Sequence, residues 1–304
     1  MTGASAPELS LLGEVAVLIV NHDTSAVLER CLGALEPGMK LGLEVVVVDN
    51  ASHDGSVDMV RGTFPAVRMV EAGGNRGFGA GVNLAALQTQ RPLLLILNPD
   101  CFIAPESVAR LAGRLDGDAH LGFVGPRIDL ESGAVDHASL RADPDPLGAL
   151  LYISRLPKLF PGRQSLNRYS LSHAGYDAEQ ELLAGTAACL MVRSSDFHAV
   201  GGFDEAFFMY GEDLDLCRRL RQAGRRGRYV PEARALHLKG EASRKQSRRM
   251  LLEFHRAMWT YYRKYEKPKR PAPVNWGVAA GITTLAGLRL ATNALRREKR
   301  VSAR

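Results

Sequence analysis

Four short runs of aliphatic residues constrain the fold of this chain more than anything else in it: EVAVLIV (Glu14 to Val20), LEVVVVD (Leu43 to Asp49), VRMVEA (Val67 to Ala72) and PLLLILN (Pro92 to Asn98). A strand exposed on one side alternates apolar and polar residues, and these runs hardly alternate. They fit strands covered on both faces, which means a mainly parallel sheet with helices packed on either side. Helical patterns fall where the crossovers belong, from Ser25 to Leu35 and onward from Ser56. The fold class is α/β.

In an open parallel sheet, ligands bind beyond the carboxyl ends of the strands, where loops and helix N-termini converge. Asp49 closes the second run and Asp100 follows the fourth, so both carboxylates are expected at one crevice. One such Asp reads as a cap on the next turn, whereas two at equivalent tips read as a site. In Asn98-Pro99-Asp100, an extended backbone would project Asn98 and Asp100 to the same side, an oxygen pair suited to Mg²⁺ or Mn²⁺ carrying a diphosphate. Farther on, ELLAGTAACLMVR (Glu181 to Arg193) reads as a strand, followed by a short helix over Ser195 to Val200. In GGFDEAFFMYGEDLDLCRRLRQAG, the apolar positions Leu214, Leu216, Cys217 and Leu220 place Glu212 and Asp213 in a first helical turn, and Gly224 marks the stop. A carboxylate there can act as a general base. His237 stands at the tip of the next strand-like run, a candidate third metal ligand. The glycine-rich GGNRGFGAGVN (Gly73 to Asn83) lacks dinucleotide-fingerprint spacing, and its backbone is expected to approach a ligand closely, with Asn75 and Asn83 as polar contacts. Residues between Asp100 and Leu183 carry no clear period and are not readable from sequence; the stretch has room for variable elements that recognise a substrate.

Charge is divided unevenly. After Cys217 there are 24 Lys or Arg against five Glu, and before it 15 against 28 acidic residues, so an acidic body carries a basic tail suited to phosphates of a membrane surface or a nucleic acid. The four cysteines show no paired spacing, which excludes a zinc ribbon or disulfide framework and fits a reducing compartment. Glu14 interrupts the only run resembling a signal peptide, so the expected location is cytoplasmic.

Taken in order, IVNHD, VVVVDNASHDGS, NRGFGAGVN, LLILNPD, LLAGTAACLMVR, GGFDEAFFMYGEDLDLCRRL and the late His237 resemble the inverting glycosyltransferases of family 2, with the GT-A fold. The resemblance runs from about Val15 to His237. Within the family it points to bacterial rhamnosyltransferases, in which Asn-Pro-Asp replaces the commoner Asp-x-Asp. It implies that His22 and Asp49 lie beside the nucleotide base and Asn75 and Gly77 near the nucleoside or its phosphates. Asp100 would hold a divalent Mg²⁺ or Mn²⁺ with Asn98 and His237, Asp213 would be the base, and Glu212 would belong with the donor-binding set. The implied activity is transfer of a sugar, L-rhamnose from dTDP-L-rhamnose or another sugar from a UDP donor, to a saccharide or lipid-linked saccharide acceptor of a cell-wall or surface polysaccharide. Two other classes fit the sequence less well. A sugar nucleotidyltransferase would carry an early Gly-rich basic loop, and HDTSAVLER after the first strand is not one. A nucleic-acid binder would use the basic tail but not paired strand-tip aspartates, so no nucleic-acid partner is expected.

The implied division is a catalytic domain over 1–240 and a basic helical extension over 241–304. Residues 244–265 read as a helix with Leu251, Phe254, Met258, Trp259 and Tyr262 near one face. Val274 to Leu288 is too short to span a bilayer and is followed by Arg289, Arg296, Arg297, Lys299 and Arg300, a pattern suited to anionic headgroups. The stripe of 244–265 suits packing on the preceding domain as well as membrane contact, and peripheral docking on the inner face of the membrane is the hypothesis for the extension.

Overall fold

The computed structural model describes residues 6–145, 175–238 and 247–301. Strand β1 (Val15–Asn21) is buried along its whole length and lies between β2 (Glu44–Asp49) and β4 (Leu93–Leu97), both parallel to it. β3 (Arg68–Glu71) adds in parallel to β2. The helices α2 (Ser25–Met39), α3 (Ser56–Thr63) and α4 (Phe78–Ala86) make the crossovers, after a short α1 (Ala6–Ser10). Why the aliphatic runs are continuous is now plain: Val15, Val17 and Ile19 enter one hydrophobic core, while Ala16, Leu18 and Val20 enter another on the opposite face. At about 1.5–3 kcal/mol per buried aliphatic side chain, this double burial is the main force holding the sheet.

Past β4 the sheet becomes mixed. β5 (Cys101–Ile103), α5 (Pro105–Asp116), β6 (Leu121–Leu130) and β7 (Gln180–Glu181) precede β8 (Cys189–Arg193), which runs antiparallel to both β4 and β6. β9 (Arg226–His237) is parallel to β6 and antiparallel to β5. The strand expected over Glu181 to Arg193 is two strands, β7 and β8, with the chain between them carrying Gly185 and Thr186 across the top of the sheet. The region between Asp100 and Leu183, without a legible period, supplies β5, α5 and β6; α5 starts on Pro105 and buries Val108, Leu111 and Leu115. Its stretch 146–174, including Pro157 and Pro161, lies outside the described residues.

Helices α6 (Ser194–Ala199) and α7 (Glu212–Gln222) follow β8, and the chain closes with α8 (Ser247–Tyr265) and α9 (Ala272–Val301). α8 packs on the sheet-and-helix body: Ala257, Tyr261 and Tyr265 belong to the second core. Tyr265 Oη donates to Asp215 Oδ1 at 2.6 Å, and the Arg218 guanidinium lies 4.1 Å from the Tyr265 ring centroid. The buried stripe of α8 is Met250, Ala257, Tyr261, Tyr262 and Tyr265, rotated from the expected one, with Phe254 and Met258 only half-buried beside a cavity described below. α9 continues as one 30-residue helix through Arg289. No helix among the described residues is long and apolar enough to cross a membrane.

Candidate active site

Parallel pairing puts the ends of β1, β2 and β4 on one edge of the sheet, and β9 delivers His237 to the same place. Cys101 is the register partner of His237, and Leu238 N donates to Asp100 O at 2.9 Å, so a backbone ladder brings residues 100 and 237 together. His237 Nε2 lies 3.3 Å from Asp100 Oδ1, and its Nδ1 lies 3.5 Å from Asp136 Oδ2. Burial alone would lower the imidazole pKa, but the two carboxylates prevail and push it up to about 10. Two donors each about 2.1 Å from a divalent ion and roughly at right angles stand about 3 Å apart. The Asp100–His237 pair therefore fits such an ion, with Asp136 orienting the imidazole from behind. No group of three or more His, Cys, Asp or Glu side chains suited to a metal occurs among the described residues, so further coordination would come from ligand oxygens and water.

Asn98 and Asp100 do not share an extended backbone. Cys101 N donates to Asn98 O at 3.0 Å, closing a turn around Pro99. Both residues still line the cavity, Asp100 at 2% exposure, because the turn sits at its floor.

Gly211, with φ of +79°, turns the chain into α7 and sets Glu212 and Asp213 in its first turn, both buried. Asp213 Oδ2 accepts from Arg141 Nη2 at 2.7 Å and from Ala187 N at 3.3 Å. Arg141 is itself anchored: it donates to Gly185 O at 2.6 Å, and its backbone exchanges hydrogen bonds with Ala184. Glu212 Oε2 is buried without a hydrogen-bond partner, and burial together with the neighbouring Asp213 charge pushes its pKa up to about 8. Two adjacent carboxyl groups thus sit in opposite settings, one ion-paired and one protonated near neutrality.

The cavity above these groups has a volume of about 1300 Å³. Asn98, Asp100, Asp136, His137, Arg141, Glu212, Asp213 and His237 form its polar floor, and apolar side chains of α8 and α9 form much of the rest.

His22, Asp49, Asn75 and Gly77 are not among the lining residues. They stand at the neighbouring tips of β1 and β2 and the start of α4; β2 is two strands from β4, roughly 10 Å at ordinary strand spacing. Asp49, 3% exposed, accepts from Asn21 Nδ2 at 2.9 Å and from Ser52 N at 2.8 Å, so it stitches two loops together, the capping role weighed for it. Asn75 Oδ1 accepts from Gly77 N at 3.1 Å. Gly77, at φ of +89°, approaches this chain's own backbone: a Cβ there would stand 2.4 Å from Phe208 O. Gly81 makes room for Val20 in the same way, and Asn83 clamps Phe203, accepting from its N at 2.8 Å. At Gly77, Gly81 and Asn83 the glycine-rich run thus packs closely on this chain's own residues. Asp100 and Asp213 share one cavity, and Asp49 lies outside its lining.

Sequence reasoning missed Arg141 and Asp136. Both lie in the aperiodic stretch DHASLR, whose only signal is the crowding of Asp136, His137 and Arg141 within six residues.

Comparison with known proteins gives a consistent result. Residues 16–165 match the model of Glycosyl transferase family 2, and residues 168–241 match that of the N-terminal domain of galactosyltransferase. The chain is 28% identical over 295 residues to the N-acetylglucosaminyl-diphospho-decaprenol L-rhamnosyltransferase of Mycobacterium tuberculosis (strain H37Rv), covering 93% of this chain and 95% of that one. It is 56% identical over 48 residues to rhamnosyltransferase WbbL of Escherichia coli (strain K12), 16% of this chain and 18% of that one. Among solved structures it resembles the mannosyltransferase PcManGT from Pyrobaculum calidifontis in complex with GDP-Man and Mn²⁺. That match has a TM-score of 0.58 at 19% identity, over 93% of this chain and 79% of the other. The likeness places the fold among GT-A glycosyltransferases.

Proposed function

The chain belongs to glycosyltransferase family 2, and from that premise we propose that it is an inverting, metal-dependent hexosyltransferase that moves L-rhamnose from dTDP-L-rhamnose to a lipid-linked saccharide in surface or cell-wall polysaccharide synthesis. One observation carries the reading: Asp100, paired with His237 at 3.3 Å, and Asp213, held by Arg141 at 2.7 Å, face one cavity although they lie more than a hundred residues apart. The M. tuberculosis relative, by name an L-rhamnosyltransferase of N-acetylglucosaminyl-diphospho-decaprenol, supports the donor and acceptor classes. A UDP-sugar donor is the alternative.

In this reading Asp100 and His237, with Asn98 beside them, hold Mg²⁺ or Mn²⁺ on the donor diphosphate. The bound ion would neutralise charge developing on the leaving group. Asp213 takes the proton of the acceptor hydroxyl as its oxygen bonds to the anomeric carbon. The electron pair of the breaking carbon–oxygen bond leaves with the nucleoside diphosphate. Arg141 and Ala187 N position the base, and the apolar walls keep water from competing. His22, Asp49, Asn75 and Gly77 would form the nucleoside end, Glu212 the wall beside the sugar. Residues 1–240 would be the catalytic domain and 241–304 an extension docking on the inner membrane face.

A calorimetric series of nucleoside diphosphates and nucleotide sugars, with and without Mn²⁺, tests the reading. A dTDP ligand is expected to bind, with an affinity gain from Mn²⁺ that Asp100→Ala abolishes. No binding of any nucleoside diphosphate, or a gain unchanged in the variant, would remove it.

A further inference from the structure

The walls of the cavity are at odds with polar substrates. A sugar nucleotide and a saccharide need hydrogen-bond partners, and the floor supplies them. Yet much of the lining consists of apolar side chains from two helices that follow the family-matched residues. At about 1300 Å³ the space also exceeds the roughly 300–1,000 Å³ common for small-molecule sites.

On α9 the lining residues include Val274, Val278, Ile282, Leu285 and Leu288, one stripe at helical spacing that runs about 21 Å along the axis. Trp276, 72% exposed, points away from it. Small residues widen the groove. Gly277 and Gly281 line it, and a Cβ at either would meet nothing within 4 Å, so no neighbouring helix demands a glycine there. Phe254 and Met258 of α8 form the facing wall. The hairpin that joins the two helices is pinned at its turn: Tyr262 Oη donates to Asn275 Oδ1 at 2.6 Å, and Asn275 Nδ2 donates to Arg270 O at 3.1 Å. The groove belongs to the same cavity that Asp213 and His237 line; near Leu288 the Arg289 guanidinium stands over the Phe254 ring, 5.7 Å from its centroid.

We propose that this α8–α9 groove is the binding site for the hydrocarbon chain of an isoprenoid diphosphate-linked acceptor, so that the lipid is recognised by the protein itself and its polar head is delivered to the floor. The inference rests on the lipid-linked acceptor reading above. Its occupant follows from continuity: an apolar chain in the groove and a diphosphate-linked saccharide at the floor are two parts of one molecule, and the groove and floor are two parts of one cavity. Each methylene buried adds to affinity, so binding should climb with chain length until the groove is filled.

The test uses the full chain, without vesicles, titrated with inorganic diphosphate, geranyl diphosphate and farnesyl diphosphate in the presence of saturating nucleoside diphosphate and Mn²⁺. Affinity is expected to rise at least about tenfold from geranyl to farnesyl diphosphate. Gly281→Leu, which fills the groove and favours the helix, and Ile282→Asp, which charges it, should each flatten that series while nucleoside diphosphate affinity stays unchanged. Affinity independent of chain length, or a rise surviving both variants, would overturn the proposal. So would a flat series in a protein that partitions onto phosphatidylglycerol vesicles and loses that on Ile282→Asp, which would make the stripe a bilayer-facing surface. A flat series with intact nucleoside diphosphate binding ends this inference alone; failure of nucleoside diphosphate binding ends the transferase reading.

Discussion

Glu212 and Asp213 differ by one position and by almost everything in their surroundings. For Asp213, carboxylate chemistry is the claim: Asp213→Asn should cut kcat by about 10²- to 10⁴-fold with donor affinity retained, measured by steady-state kinetics and calorimetry. Near-normal turnover in a folded variant would return Asp213 to a structural role as the partner of Arg141. Glu212 makes a different prediction. Its pKa is raised in the folded state to about 8, so the native protein holds a proton that the unfolded chain releases in the ordinary carboxylate range. Between those limits the native state binds more protons, and stability falls as pH rises. Glu212→Gln should remove that slope, with the variant gaining on the wild type in Tm from pH 5 to pH 8.5; parallel curves for the two proteins would contradict it. Neither contrast was legible in GED, because burial and Arg141 make it, and Arg141 lies some seventy positions upstream without a motif.

Among the elements, α7 carries two duties on one helix. Its first turn faces the cavity, while Asp215, fully buried, ties it to α8 through Tyr265 and Lys264, the latter at 2.7 Å, and pairs with Arg219 of its own helix at 2.7 Å. Tyr265→Phe deletes one hydrogen bond to a buried carboxylate and should cost about 1–2 kcal/mol in urea unfolding, with kcat little changed if Lys264 alone holds α7 to α8. An unchanged midpoint would mean that α8 contributes little to the core it shares. The strands of the first half were legible because their runs are buried on both faces and therefore unbroken. α5 was not, although Pro105 and the buried Val108, Leu111 and Leu115 mark it, because β5 and β6 around it are short or interrupted by Gly122, Gly125 and Pro126. Asn-Pro-Asp reads equally as an extended strand tip or an ordinary turn, since Pro99 suits either backbone, and only the Asn98–Cys101 hydrogen bond decides for the turn.

At the scale of the molecule, the basic extension supplies two helices, α8 and α9, whose side chains wall the cavity that holds the candidate site. A chain ending at Lys267 keeps α8 on the core and removes α9. If the membrane-docking proposal holds, full-length protein should sediment with anionic vesicles and the shortened one should remain in the supernatant. Equal partitioning would end the docking idea. Composition forecast this division of labour only as an imbalance of charge, since a count of Lys and Arg says nothing about where a helix lies. The sequence by itself determined the α/β class, the parallel half of the sheet and the strand-tip positions of Asp49 and Asp100, because continuous double-sided burial leaves a periodicity that local inspection can read. Only the tertiary structure decided that His237 reaches Asp100, that Arg141 pairs with Asp213, that Asp49 braces loops outside the cavity and that α9 walls the site. Those relations join residues far apart along the chain, and strand register and helix packing, which set them, leave no trace in the spacing of any one segment.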